Sequence, residues 1–321
     1  MLDGLPGREI VWEHVDSLVD RRIDSTHQHV WPFSGGMPID VRFMLLDRAD
    51  TVPKHRPDHL EVVFFESGEA AYEVEDEGFL LHENDLVVVG DQRAHRTLPA
   101  RQAGSEARIA VLSFLPRLLF ADQPRAEDYQ YLTPFSPAAS SVPSVIQGAN
   151  GLSAEIFELM QKVRRELPVD TERSALAVRT YLRMILFLLT AHYWEFQETR
   201  GGMKRQQVKL ERISPAIENI GHERNWALTV EQAARMCAMS PSCFMQVFRQ
   251  ATGQSFVSYV NQARVDHAKD LLKNSDLGLA EIGYETGFCD QSYFGSVFRR
   301  LEGVTPLVFR RTYRVSLPEL G

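Results

Sequence analysis

Three rhythms of apolar and polar positions divide the chain. Up to about residue 115 the apolar positions come in short runs. LEVVFFESGEAAYEV (60–74) and FLLHENDLVVVG (79–90) are rich in β-branched and aromatic residues and are broken by SGE and EDEG. That pattern predicts short strands joined by tight turns, and several strands at this spacing predict a sandwich or a barrel. Residues 116–150, with PFSPAASSVPS, show neither strand nor helix rhythm and predict an irregular connection. From 151 the apolar positions recur every three to four residues, as in GLSAEIFELMQKVRREL and ERSALAVRTYLRMILFLLTAHYWEF, which predicts helices. The helix over 173–196 is apolar around much of its circumference (Leu182, Ile185, Leu186, Leu188, Leu189, Tyr193) and must be covered on more than one side. It is expected to pair with a second copy of the chain, with Leu182 and Leu189 in the seam. RGGMKRQQ (200–207) reads as a linker.

Residues 208–314 are expected to be helical with short breaks, and they repeat. LTVEQAARMCAMSPSCFMQVFRQATGQSF (228–256) can be laid over LGLAEIGYETGFCDQSYFGSVFRRLEGVTP (277–306). In each, a helix carrying a small residue (Ala233 and Ala234; Gly283) leads to a turn and a polar start (Ser240; Asp290). An aromatic (Phe244; Phe294), a Phe-Arg pair (Phe248-Arg249; Phe298-Arg299) and a glycine stop (Gly253; Gly303) follow. The offset of about 50 residues defines a two-fold repeat.

Charge sharpens this division. The whole chain has a formal net charge of −8. Residues 1–202 hold 20 Lys+Arg against 31 Asp+Glu, a balance of −11, and residues 203–321 hold 15 against 12, a balance of +3. An acidic body with a mildly basic tail fits a chain in which only the tail meets phosphate. Three cysteines without CxxC spacing, Cys237, Cys243 and Cys289, argue against a disulfide framework or a zinc knuckle. The acidic N-terminus lacks a signal pattern. The longest apolar stretch, around 184–190, is expected to be too short to cross a bilayer. A cytosolic chain with no membrane partner is the expectation.

The repeat has the residue types of a helix-turn-helix: a small residue where two helices cross, a capped second helix, and short polar side chains on its first turns. Ser240 is placed as N-cap with Pro241 at N1, and Asp290 caps the second unit. Ser242, Met245 and Gln246 fall on the outward face, with Phe244, Val247 and Phe248 inward. In the second unit Gln291, Ser292, Gly295 and Ser296 face outward, and Tyr293, Phe294, Val297 and Phe298 include the core side. The candidate DNA-contacting residues are therefore Ser242, Met245, Gln246, Arg249, Gln291, Ser292, Ser296, Arg299 and Arg300. The arginines lie where a helix reaches phosphate.

These motifs resemble the AraC/XylS family of transcription regulators. The resemblance runs through Ile282-Gly283, Gly287-Phe288, Gln291-Ser292-Tyr293-Phe294, Phe298-Arg299-Arg300, Gly303, Thr305-Pro306 and Arg310. Arg264, Ala268 and Leu271-Leu272 fit the joining helix, and about residues 210–312 are covered. Gly283 departs from the family's usual alanine. The resemblance implies two recognition helices entering successive major-groove faces about 34 Å apart.

In the strand-rich region His55, His59 and Glu61 are expected to alternate onto one face with Val63 and Phe65, and His95 follows a strand at 86–89. This resembles a cupin barrel, with first-motif residues His55, Glu61 and Gly68 and a second motif Asp85…His95. Pro57 stands where a metal-binding cupin has its second histidine, and Asn84 replaces the glycine before Asp85. His55, His59, Glu61 and His95 are the candidate ligand residues, with His27, His29, Trp31 and Phe33 able to line the mouth. Three readings stay open: a small polar organic effector of sugar-like type, a bound metal, and satisfied barrel histidines. No metal is expected, because Pro57 removes a ligand.

The fold class read from the sequence is α+β multidomain. Residues 1–150 form a cupin-like ligand-sensing β-barrel, 151–207 a helical dimerisation segment and linker, and 208–314 an all-α DNA-binding domain with two helix-turn-helix units. The expected protein is not an enzyme. It is a ligand-responsive, sequence-specific DNA-binding regulator, an activator of a catabolic or sugar-related operon, working as a homodimer on operator or promoter duplex DNA. RNA polymerase is a further candidate partner. The alternative is a metal-dependent cupin enzyme or metal sensor with an attached helical domain.

Overall fold

The computed structural model describes residues 10–14, 23, 27–29, 31, 33, 37–46, 53–90, 93–99, 106–119, 126–135, 144–148, 151–169, 171–198, 202–221 and 225–313. The Ser/Ala/Pro run 136–143 and most of the acidic N-terminus lie outside them. The chain has a sheet-rich N-terminal region and a helical C-terminal region. It groups into two units: residues 1–31, 39–115 and 143–188, and residues 32–38, 116–142 and 189–321.

The first unit holds β1 (Glu13–His14), β2 (Gln28–His29), β3 (Ile39–Leu46), β4 (Arg56–Pro57), β5 (Leu60–Ser67), β6 (Ala70–Val74), β7 (Glu77–Leu81), β8 (Leu86–Val89), β9 (His95–Pro99), β10 (Ala107–Phe114) and β11 (Val145–Ile146). A six-stranded sheet runs in the order β1-β3-β10-β5-β8-β11, a three-stranded sheet in the order β7-β6-β9, and β2 pairs with β4. Val63, Phe65, Val87, Val89, Ile109 and Val111 from the larger sheet pack with Tyr72, Val74 and Leu81 from the smaller one. Each such side chain withdrawn from water stabilises the fold by about 1.5–3 kcal/mol. The alternation expected of half-buried strands appears in β6 and most of β3. β5 is instead buried on both faces. Its second face is covered by α1 (Leu152–Glu166), whose Phe157 stacks on Phe64 with ring centroids 4.5 Å apart.

Two tight positions explain turn residues picked out above. Gly68 has φ +80°, and a Cβ there would stand 2.8 Å from the Ala107 Cα. Asn84 has φ +68°, the left-handed conformation expected of it in place of glycine.

α2 (Glu172–Glu198) is longer than expected. Over Glu172–Trp194 its mean hydropathy of 1.4 reaches the range of a membrane-crossing helix, so the expectation of too short a stretch fails on length and composition. Val178, Leu182, Ile185, Leu186, Leu189 and Tyr193 are nevertheless buried inside the protein. Leu182 and Leu189 are therefore core residues, and the expectation that they form an exposed seam is corrected. The helical period turns Leu176, Met184 and Phe187 outward instead, at 65%, 45% and 55% exposure.

The helical unit comprises α3 (Gly202–Gly221), α4 (Val230–Met236), α5 (Pro241–Thr252), α6 (Phe256–Asn274), α7 (Leu279–Glu285), α8 (Gln291–Glu302) and α9 (Pro306–Tyr313). Residues 202–207, read as linker, are the first turns of α3. Lys, Arg, Gln and Met are good helix formers and outweigh Gly202 at the first position of the helix. The segment 126–135, expected to be irregular, winds as a 3-10 helix and packs on α3 and α5. Its Tyr129, Leu132 and Phe135 are fully or almost fully buried.

Gly283 lies inside α7 with helical φ, and a Cβ added there would meet the Phe294 ring at 3.5 Å, ordinary van der Waals contact. Gly283→Ala should therefore raise stability by about 0.5–1 kcal/mol, mainly by restricting the unfolded chain. Urea unfolding of the two proteins measures this. A lower midpoint for the alanine variant would show that α7 and α8 lie closer than described.

Candidate nucleic-acid interface and buried histidine cluster

Each half of the repeat builds a short helix, a turn and a longer helix from the same local devices. Thr229 accepts from the Gln232 N–H at 3.3 Å while Gln232 Oε1 accepts from the Thr229 N–H at 2.9 Å, a reciprocal cap that starts α4. Ser240 caps α5 by accepting from the Cys243 N–H at 3.3 Å, with Pro241 following at N1. Asp290 caps α8 by accepting from the Tyr293 N–H at 2.7 Å, and this bond holds its carboxyl below the usual range. Gly253 and Gly303 end the two longer helices at φ +74° and +75°.

The faces fall as the periodicity predicts. Phe244, Val247 and Phe248 of α5 are buried, as are Phe294, Val297 and Phe298 of α8. Ser242, Met245 and Gln246 are exposed, as are Gln291, Ser292, Ser296, Arg299 and Arg300, and Arg249 is partly so. Tyr293 is a rim residue, 40% exposed, whose hydroxyl accepts from Asn261 Nδ2 at 3.2 Å.

α6 ties the two halves together. Arg264 Nε donates to the Trp226 carbonyl at 2.7 Å ahead of α4, and its guanidinium lies 5.4 Å from the Phe288 ring centre ahead of α8. Gly287, at φ +83°, lets the second turn approach Trp226 where a Cβ would stand 2.9 Å from the carbonyl oxygen. Lys269 pairs with Glu302 at 3.1 Å, and Arg310 donates to the Leu277 carbonyl at 2.6 Å. These bonds fix α8 against α6 and α9 against the connection between α6 and α7. Sequence periodicity identified the outward faces but not this bracing.

In the sheet-rich unit, Glu61 stands at alternate positions with Val63 and Phe65 along β5, and His59 lies in the bend just ahead of that strand. His55 reaches the same place by another route. The chain bends at Asp58–His59, Arg56–Pro57 pairs with β2, and His55 bridges to His95. The expectation of one extended chain carrying all three residues is corrected accordingly. All four candidate ligand residues are buried and adjacent. Glu61 Oε1 lies 2.7 Å from His59 Nε2, and Glu61 Oε2 lies 3.0 Å from His95 Nε2. The His55 and His95 rings stand 4.2 Å apart.

His29 completes the cluster, and sequence reasoning gave it only a place at the mouth. Its ring is 4.9 Å from that of His55 and 5.2 Å from that of His59, and it is 4% exposed. Pairing of β2 with β4 positions it, and Pro57 is compatible with that pairing. Arg56 and Asp58 donate to the carbonyls of His27 and His29, at 2.8 and 3.1 Å, so the parallel pairing needs no N–H from residue 57. No local pattern signals this, because β2 is two residues long and its partner lies some 28 positions away. Trp31 packs edge-on against His29 and His59, with its Nε1 donating to Asp40. His27 is exposed, and Phe33 groups with the other unit. Asp85 is a turn residue: its carboxylate accepts from the His82 and Gly148 N–H groups.

Burial pushes the His29 imidazole down to about 3, and burial reinforced by His95 pushes His55 down to about 4. Burial would lower His59 as well, but the Glu61 and Asp58 carboxylates outweigh it and hold that imidazole at about 9. Burial would raise Glu61, and His95 and His59 instead draw it well below the carboxylate range.

Residues 233–312 match a family described as a helix-turn-helix domain. The chain is 37% identical over 138 residues to an uncharacterized HTH-type transcriptional regulator, YijO, of Escherichia coli strain K12, covering 43% of this chain and 48% of that one. It is 19% identical over 260 residues to another, YdeC of Bacillus subtilis strain 168, covering 81% and 86%. The crystal structure of fatty-acid-bound ToxT from Vibrio cholerae strain SCE256 aligns over 89% of this chain and 99% of that one, at 12% identity and a TM-score of 0.37. The first of these matches spans about half the length of the relative. The C-terminal region thus carries a helix-turn-helix domain, and the relatives it is similar to are HTH-type transcriptional regulators.

Proposed function

We propose that this protein is a ligand-responsive, sequence-specific DNA-binding transcription regulator that acts in the cytosol as a homodimer. α5 and α8 are the two recognition helices of tandem helix-turn-helix units, and the sheet-rich unit is a cupin-like sensor. The observation that carries this reading is the doubled device: capped helix, buried aromatic face, exposed polar face and glycine stop, repeated at a 50-residue offset. The finer reading is an activator of a catabolic operon that contacts duplex DNA and RNA polymerase. The domain bounds proposed are 1–150, 151–207 and 208–314, with 126–135 packed among the C-terminal helices. The test is titration of the purified protein with duplex from upstream of its own and neighbouring genes at several salt concentrations. Salt-dependent binding with at least ~10³-fold preference for one site is expected, and equal affinity for every duplex would overturn the reading.

The dimer is assigned to the exposed stripe of α2. Met184→Asp with Phe187→Asp should convert the protein to monomers in light scattering without loss of helicity, because neither side chain belongs to the core. A double variant that stays dimeric removes α2 as the interface.

A further inference from the structure

We infer that the buried cluster of His29, His55, His59 and His95 around Glu61 is a binding site for one divalent transition-metal ion. Two overlapping triads, His29–His59–Glu61 and His55–Glu61–His95, each bring their ligand atoms within 4.8 Å of one another, and Glu61 is common to both. Three of the imidazoles are oriented from outside. His55 Nδ1 lies 2.8 Å from the Pro53 carbonyl, His59 Nδ1 lies 2.9 Å from Asp58 Oδ1, and His95 Nδ1 lies 3.2 Å from the Arg93 carbonyl. Each outer partner accepts the Nδ1 proton, so that Nε2 points toward the centre and becomes a lone-pair donor when an incoming ion displaces its proton. That is how metal-binding histidines are held.

The fourth imidazole supplies the independent observation. Neither ring nitrogen of His29 has a hydrogen-bond partner among the described residues, although the ring is buried. A buried polar group left unpaired is destabilising, and no hydrogen bond among the described residues offsets it. An ion at the centre of the cluster would. His29 also supplies an imidazole from a different strand where Pro57 carries none, which removes the sequence-based reason for excluding a metal. Imidazoles with one carboxylate and no thiolate suit zinc, nickel, cobalt or ferrous iron better than calcium or magnesium. The site assignment stands on the cluster alone. That the ion is the effector, in place of a sugar-like molecule, rests on the regulator reading.

The experiment uses the full-length protein stripped with a chelator and titrated with Zn²⁺, Ni²⁺ and Mg²⁺ by calorimetry and thermal unfolding, with His29→Leu and His95→Gln alongside. One equivalent of Zn²⁺ or Ni²⁺ should bind and raise Tm, and Mg²⁺ should do neither. His29→Leu is the decisive variant. It should leave the metal-free protein as stable as the original or more so, because it removes an unpaired polar ring, yet weaken metal binding by more than ~100-fold, the upper end of what losing an outer partner costs. Unchanged affinity in His29→Leu, or no saturable binding to the original protein, overturns the site. Duplex DNA titration with and without the ion separates the two readings. DNA binding that is intact but indifferent to the ion removes the effector role and leaves the site. Metal binding with no DNA binding removes the regulator reading and also leaves the site.

Discussion

Replacing Gln246 or Gln291 with alanine should cost about 1–3 kcal/mol on the cognate site and relax specificity at one base pair, while affinity for unrelated DNA stays unchanged. Both side chains are exposed, Gln246 on the face of α5 opposite its buried phenylalanines and Gln291 at the first residue of α8. A glutamine there can pair with the adenine edge through both of its amide atoms. Arg299 lies two turns farther on, where the backbone of the duplex would pass. Arg299→Ala should weaken binding to all sequences alike and reduce the slope of log K against log salt by about one. The measurement is a titration on the operator and its single-base variants across a salt series. If the glutamine variants lost affinity equally on every sequence, the orientation of both helices would be wrong. The caps and bracing bonds make the contrast readable, because neither glutamine takes part in them.

The other large effect is expected at Glu61. In chelator-treated protein Glu61→Ala should lower stability by about 3–5 kcal/mol, the usual cost of removing one partner from a buried ion pair. Both carboxylate oxygens face imidazoles, and the side chain is 4% exposed. The pH dependence follows from the directions of the shifts. Glu61 is depressed in the folded state, so its contribution is present above its ordinary value of 4.5 and is lost as pH falls through the folded value. His59 is raised to about 9, so its contribution is complete below 6.5 and is lost as pH rises through about 9. The penalty of the substitution should therefore be largest between about pH 5 and 8 and shrink above 9. Chemical unfolding across that range checks it. A penalty independent of pH would mean that Glu61 acts by packing and not by charge.

The helical unit was legible in the sequence because its signals are local. Ser240, Pro241, Gly253, Asp290 and Gly303 act within one helical turn of themselves, and the burial of Phe244, Phe248, Phe294 and Phe298 follows from the period of 3.6 residues. The exposed polar faces come out of the same arithmetic. So did the alternation of Glu61, Val63 and Phe65 along β5, since alternation along a strand is also a local rule.

What the sequence could not decide was which side of an all-round apolar helix meets the core. Leu182 and Met184 both look buried along α2, and only tertiary packing covers the first and exposes the second. It could not place the bracing by Arg264, which reaches a carbonyl 38 residues away. Above all it could not assemble the histidine cluster. Pro57 read as a lost ligand, but the Arg56 and Asp58 N–H groups on either side of it seat β2 and bring His29 into the cluster. Periodicity reports the faces of a single element, whereas a site built across β2, β5, β9 and the His55 bridge is set by strand pairing between distant segments, whose register is fixed only when the whole sheet closes.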